Sequence, residues 1–223
     1  LYGTEAGNVI PYAGLVFYPT TSANSRDGYV MPGGEILPHM QGAGEPPIFS
    51  DETSQYPLIF FVHGRGNFPL SRLSTLVKFA SHGYIVAALF HGDGRFPAFG
   101  LDLTQAQEIA LRPLSVKTAI DVLQEHADFK DRIDFDKIGG VGVSFGGTTL
   151  MLLTGGQLLG PTFTSTRTTT VDQRIKAAGN FVPFLGDSTS LILGFNTSGV
   201  RSALRPYLAV VGTDDQVAPL ANT

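Results

Sequence analysis

Short runs of apolar, often β-branched residues recur along this chain, each closed by turn residues: Tyr12 to Tyr18, Leu58 to Val62, Ile85 to Phe90, Ile138 to Val143, Ile175 to Val182 and Tyr207 to Val211. Runs this short and this apolar predict strands buried in a sheet, and the helical patterns between them predict crossovers. Leu73, Leu76, Val77 and Ala80 fall at i, i+3, i+4 and i+7, which puts one helical face inward. Val116, Ala119, Ile120 and Leu123 repeat that spacing from a start beside Pro113, a residue suited to a first helical turn. A third helix-like run covers Thr148 to Leu153. The β-α-β-α-β-α order predicts an α/β fold, with a mostly parallel central sheet, helices on both faces and right-handed crossovers.

Two stretches break the rhythm. Thr20 to Tyr56 is rich in Gly, Pro, Ser and Asp and reads as a long surface excursion. Gly155 to Asp172, with its Thr-rich centre, reads as a loop inserted after the third helix. Neither has the pattern of a separate domain, so residues 1–223 are expected to form a single one.

Composition narrows the functional classes. At 223 residues, 43% hydrophobic and 15% charged, the chain can bury a sizeable core. No apolar run approaches the length of a membrane span, and no basic segment precedes an apolar stretch at the start. With no cysteine, a disulfide framework or thiolate metal site is ruled out. A net charge of −4 without a Lys/Arg cluster argues against nucleic acid as a partner. High Gly, Pro and Thr with few Lys lean toward a secreted protein, and Leu1 in place of Met fits removal of a leader.

The candidate chemistry centres on Gly142-Val143-Ser144-Phe145-Gly146, where the strand-like run ending at Val143 passes into a helix. A serine on such a turn projects its hydroxyl from the carboxyl edge of a parallel sheet, and small flanking residues let helix and strand approach. His63-Gly64-Arg65-Gly66 follows another strand at the same edge and supplies backbone N–H groups for an oxyanion, the expected pair being the amides of Arg65 and Phe145. Asp215, in the turn after the last run, is favoured over Asp214 as the carboxylate that would orient a base. His63 and His91, each just past a strand, are candidate pocket residues, although a loop-shaping role is the commoner use of such a histidine as His91. Arg65 and Arg95 could also favour an anionic substrate group. Asp131, Asp134 and Asp136 read as a solvated turn, the histidines lack metal-ligand spacing, and no cofactor or metal is expected.

In order, Pro57 to Gly66, Ala80 to Val86, Asp136 to Gly139 leading to Ser144-Phe145-Gly146-Gly147, and Gly212 to Asp215 resemble the α/β-hydrolase superfamily, and more narrowly its dienelactone-hydrolase-like and platelet-activating-factor acetylhydrolase-like esterases. The resemblance implies an α/β-hydrolase fold with Ser144 as nucleophile, Arg65 and Phe145 as oxyanion donors and Asp215 as acid. It implies a carboxylic-ester hydrolase acting through an acyl-enzyme on a small-molecule or polymeric ester, without a cofactor. An acyltransferase on the same machinery, or a non-catalytic binding protein, are the alternatives. Some acetylhydrolases carry the acid one strand earlier, where this chain reads Gly179-Asn180-Phe181-Val182-Pro183 without a carboxylate. All five histidines precede Ser144, so the family's base, together with its last strand and helix, is expected beyond Thr223.

Overall fold

The computed structural model describes residues 13–42, 44–91, 103, 105–158, 170–185, 195 and 197–215. Six strands form one sheet: β1 (Ala13–Phe17), β4 (Tyr56–Val62), β5 (Ile85–Phe90), β6 (Ile133–Val143), β7 (Ile175–Phe181) and β8 (Tyr207–Val210), in the order β1-β5-β4-β6-β7-β8. β1 runs antiparallel to β5, and the other neighbours are parallel. Each predicted run is a strand. β4 and β5 are buried on both faces, which is why they read as unbroken apolar runs rather than as alternation.

The pleat divides the core. Leu58, Phe60 and Val62, with Ile85, Ala87 and Leu89, pack on one face against Val116, Ile120 and Leu123 of α2 (Gln105–Glu125) and Leu150 and Leu153 of α3 (Phe145–Leu153). Ile59 and Phe61, with Val86 and Ala88, meet Leu76 of α1 (Leu73–Ser81) on the other. A short helix α4 (Thr197–Arg201) precedes β8.

Three expectations are corrected. Helix α2 begins at Gln105, so Pro113 lies inside it and not in its first turn. Proline offers no N–H to the carbonyl four residues earlier, and the two turns before it are held by tertiary polar contacts described below. Strand β6 begins at Ile133, five residues before its apolar run. Its pairing with β4 shifts register between Pro57 and Leu58, and Asp134 there holds Lys137 at 2.8 Å and accepts the Asp136 N–H. The Thr20 to Tyr56 excursion contains a two-stranded ribbon, β2 (Tyr29–Val30) with β3 (Ile36–Leu37). It returns to the domain through Phe49, whose buried ring lies 5.0 Å from Tyr18 and 6.1 Å from Tyr56 and Phe129. Residues 159–169 of the post-α3 loop lie outside the described residues.

Arg174 ties α2 to the start of β7, bonding Asp172 at 2.6 Å, Asp121 at 2.5 Å and Gln124 at 2.9 Å. Burial pushes the Asp172 carboxyl up, but the Arg174 hydrogen bonds outweigh it and leave the group below its ordinary 3.8. A depressed carboxylate stabilises the fold above its unfolded pKa, and that contribution is lost as pH falls through the lower folded value. Asp172→Asn is therefore expected to cost about 1 kcal/mol at neutral pH, with the gap to wild type closing as pH falls below the ordinary carboxylate range. Urea melts across that range are the check; a pH-independent gap would assign the effect to packing.

Candidate active site

Ser144 stands between β6 and α3 with φ 52° and ψ −117°, a conformation that costs an L-residue on the order of 1–3 kcal/mol. Its backbone is fully engaged. The N–H donates to Phe181 O at 3.0 Å, and the carbonyl accepts from Gly147 N at 2.8 Å and Phe184 N at 3.0 Å. Its hydroxyl makes no capping bond to α3. The flanking glycines are dictated by space. A Cβ on Gly146 would overlap the Val62 carbonyl oxygen and lie 2.7 Å from its carbon; one on Gly142 would meet the Asn180 side chain and lie 2.8 Å from the Gly146 carbonyl carbon. Gly147 is similarly closed in by Pro183 and Tyr207.

The turn after β4 lies directly alongside. A Cβ on Gly64 would sit 3.5 Å from Ser144 Cβ. Asn67 N–H closes the turn on Gly64 O at 3.2 Å, and Gly66 takes φ 65°, which leaves Arg65 and Gly66 at its corner. Phe145 is the first residue of α3, where a backbone N–H has no acceptor within the helix. The sheet register brings Gly64, Ser144 and His91 to one level: Phe61 pairs with both Ala88 and Val141, and each of the three lies three residues further on.

Both histidines at this edge are buried. His63 and His91 are both 2% exposed, their rings 5.1 Å apart. His63 Nδ1 donates to Gly64 O at 2.8 Å. His91 Nδ1 bonds Ser115 Oγ at 2.8 Å, and Ser115 donates in turn to Arg112 O, so the Nδ1 of His91 carries the proton. Burial, then the charge of Arg112 and the neighbouring His63, hold His91 well below the ordinary histidine pKa. The remaining histidines are remote. His82 and His126 follow the ends of α1 and α2, at the amino edge, and His39 bonds Arg26 O beside the β2–β3 ribbon.

The Arg65 side chain does not offer a free cation to the edge. Its Nε bonds the buried Glu108 at 2.7 Å. Arg95 lies outside the described residues. Past β8, Asp215 is half-buried and donates its N–H to Gly212 O at 3.3 Å, while Asp214 is exposed. Asn180 occupies the late β7 position, fully buried at 1% exposure. Among the described residues, no group of three His, Asp or Glu is arranged to hold a metal ion, and no helix is long and apolar enough to cross a membrane.

Comparison with known proteins agrees with this architecture. Over 99% of its length the chain superposes on 71% of a thermophilic esterase from the Planctomycetes species Thermogutta terrifontis, with a TM-score of 0.56 at 20% identity. The same organism's esterase 2 phosphorylated by paraoxon matches over 99% of this chain and 72% of that one, with a TM-score of 0.55 at 19% identity. The chain has the α/β-hydrolase fold. Residues 42–99, spanning β4, the Gly64 turn, α1 and β5, match the family model described as platelet-activating factor acetylhydrolase, isoform II. Platelet-activating factor acetylhydrolases of Bos taurus and Canis lupus familiaris are 30% identical over 139 residues and 29% identical over 141, each match taking in 44% of this chain. These matches span 31% of each relative, so the chain accounts for about a third of their length. In sequence it is similar to platelet-activating factor acetylhydrolases over less than half of its length.

The sequence reading passed over a polar stripe on α2. Glu108, Arg112 and Ser115 are all buried and contact Arg65, the His63 and Gly64 carbonyls, and His91. Their i, i+4, i+7 spacing was the available signal, since it continues the inward face of Val116, Ala119 and Ile120 with polar residues.

The close approach of α3 to β4 makes an unequal pair of glycine substitutions. Gly146→Ala is expected to destabilise the protein by about 3 kcal/mol or more, because both colliding atoms are backbone. Gly139→Ala, whose new Cβ would lie 3.7 Å from its nearest neighbour, Ala177 O, should change stability by less than about 0.5 kcal/mol. Denaturant melts of the two variants decide this, and equal melts would show that the helix can slide.

Proposed function

We propose that this chain carries the acyl-transfer machinery of a carboxylic-ester hydrolase. One observation supports it above others: a strained Ser144, with no capping bond on its hydroxyl, stands against a glycine turn in the fold of known esterases. Ser144 Oγ attacks the ester carbonyl. The amides of Phe145 and Arg65 bind the oxygen that becomes negative, aided by the positive end of α3. The tetrahedral adduct collapses, the alcohol leaves with a proton returned by the base, and water repeats the sequence on the acyl-enzyme. The reaction of a structural neighbour with paraoxon is the behaviour of an activated nucleophile, and supports the same role for Ser144.

Asp215 is the proposed acid, half-buried where Asp214 is exposed. The base is proposed to be a histidine outside residues 1–223, because His63 and His91 are buried and engaged and the other three histidines are remote. The same histidine count favours a second reading, a binding protein on this fold. Reaction with a fluorophosphonate probe separates the two.

Ser144→Ala should fold normally by circular dichroism, take up no probe, and lose hydrolysis of p-nitrophenyl acetate by about 10⁴-fold or more. Turnover persisting in the purified variant would sink the mechanism. Asp215→Asn is expected to lower kcat by about 10⁴-fold with little change in KM, against less than about tenfold for Asp214→Asn. The reverse ranking would reassign the acid. An active species consisting of residues 1–223 alone would overturn the assignment of the base.

A further inference from the structure

We infer that Arg112 is a positioning residue that sets the direction of the oxyanion-binding amides, a role that rests on the ester-hydrolase reading above. Its guanidinium is wholly buried, with 0% exposure. Nη1 donates to His63 O at 2.7 Å, Nη2 reaches Gly64 O at 3.4 Å, and the guanidinium carbon stands 4.9 Å from the centre of the Phe145 ring. One side chain on α2 thus touches the strand end and turn that present the Arg65 amide, and also the residue that presents the other amide. One turn earlier on the same helix, Glu108 fixes the Arg65 side chain.

The rigidity of the peptide unit converts these contacts into a direction. A trans peptide is planar, with its C=O and N–H pointing opposite ways. Gly64 O and Arg65 N–H belong to one such plane. Drawing Gly64 O inward toward α2, where His63 Nδ1 at 2.8 Å and Arg112 also meet it, turns Arg65 N–H outward, toward the edge that carries Ser144. Two glycines flank Arg65, so apart from the 3.2 Å bond of Asn67 N–H to Gly64 O the backbone gives little resistance to rotation of that plane. Rotated, it would present a carbonyl oxygen to the developing anion. Phe145, under the guanidinium, is held at the same time in the first turn of α3.

The test uses Arg112→Gln and Arg112→Lys in the full chain. With p-nitrophenyl acetate, Arg112→Gln is expected to lose about 10²-fold in kcat with KM within about threefold, the loss typical of one misplaced oxyanion donor. Affinity for a trifluoromethyl ketone, which forms a tetrahedral oxyanion on the serine, should fall by the same factor. Affinity for the corresponding unreactive amide should hold. Arg112→Lys, which keeps one donor, should recover about tenfold of the loss, and it remains informative if the glutamine variant does not fold. Amide hydrogen exchange should rise over residues 62–68 and stay unchanged over residues 116–125. A raised KM at unchanged kcat, ketone affinity equal to wild type, or exchange raised evenly through the protein would overturn the inference. If wild type neither hydrolyses the ester nor binds the ketone, the ester-hydrolase reading fails, and the exchange pattern alone decides whether Arg112 orders the turn.

Discussion

The contact on which the site depends is the one between Gly146 and the Val62 carbonyl. No side chain fits there, so α3 lies against the end of β4 at backbone distance, and the chain leaving β6 must reverse within one residue to enter it. Ser144 is that residue. Its strain is not relieved but overdetermined. The last residues of β7 and those just after it bond both polar backbone groups of Ser144, and Thr148 Oγ1 donates to Phe184 O from inside α3. Val182, at φ 43°, is a second strained residue in this contact, and it is uncommon for a β-branched side chain to sit there. Its N–H is held by Val210 O at 2.7 Å. The elbow and the β7 turn fix each other, so hydroxyl direction becomes a property of the sheet and not of a loop.

A second constraint comes from α2. The face it turns to the sheet changes character along its length, apolar from Val116 to Leu123 and polar from Glu108 to Ser115, yet both halves are buried. Apolar residues at Glu108 and Arg112 could fill the same volume at less desolvation cost. They could not donate to carbonyls. The strand ends of a parallel sheet leave such carbonyls at the carboxyl edge, where the chain departs from its ladder, and a buried guanidinium satisfies them. The helix therefore trades packing for control over the edge that carries Ser144.

This division explains what the sequence disclosed. The strands were legible because β4 and β5 are apolar on both faces and short. Ser144 was legible because its requirement is steric, and steric requirements at 142 and 146 admit only glycine. The start of β6 was not legible, since Asp134, Asp136 and Lys137 interrupt its apolar run at a register shift that depends on its neighbour. Nor was the first half of α2, where charges hold buried positions and Pro113 mimics a beginning. Arg112 belongs to the same class: a charge at a helical position is read as surface until its carbonyl partners, about 50 residues earlier in the chain, are known. Arg65 misled in the opposite sense, appearing as a free cation when Glu108 neutralises it.

The arrangement of the carboxyl edge also limits where a base can stand. From β5 to β8 the edge presents His91, then His63 with the Gly64 turn, then Ser144, then Val182, then Asp215. Parallel strands lie about 4.8 Å apart, so His91 and Asp215 each start from roughly 10 Å of Ser144, on opposite sides. His91 spends its Nδ1 proton on Ser115 and lies beneath the sheet edge with α2, not above it. On the proposed mechanism, an imidazole bridging Asp215 to Ser144 would come in over β7, across Val182 and Pro183. On the face that α1 covers, Leu208 is 64% exposed, Phe181 50% and Val210 46%, and a trough of about 500 Å³ runs over the amino-end half of the sheet, along Ile59, Gly139, Ala177 and Leu208. Those apolar groups and the buried His91, which bonds Ser115 of α2, thus belong to opposite faces of the sheet.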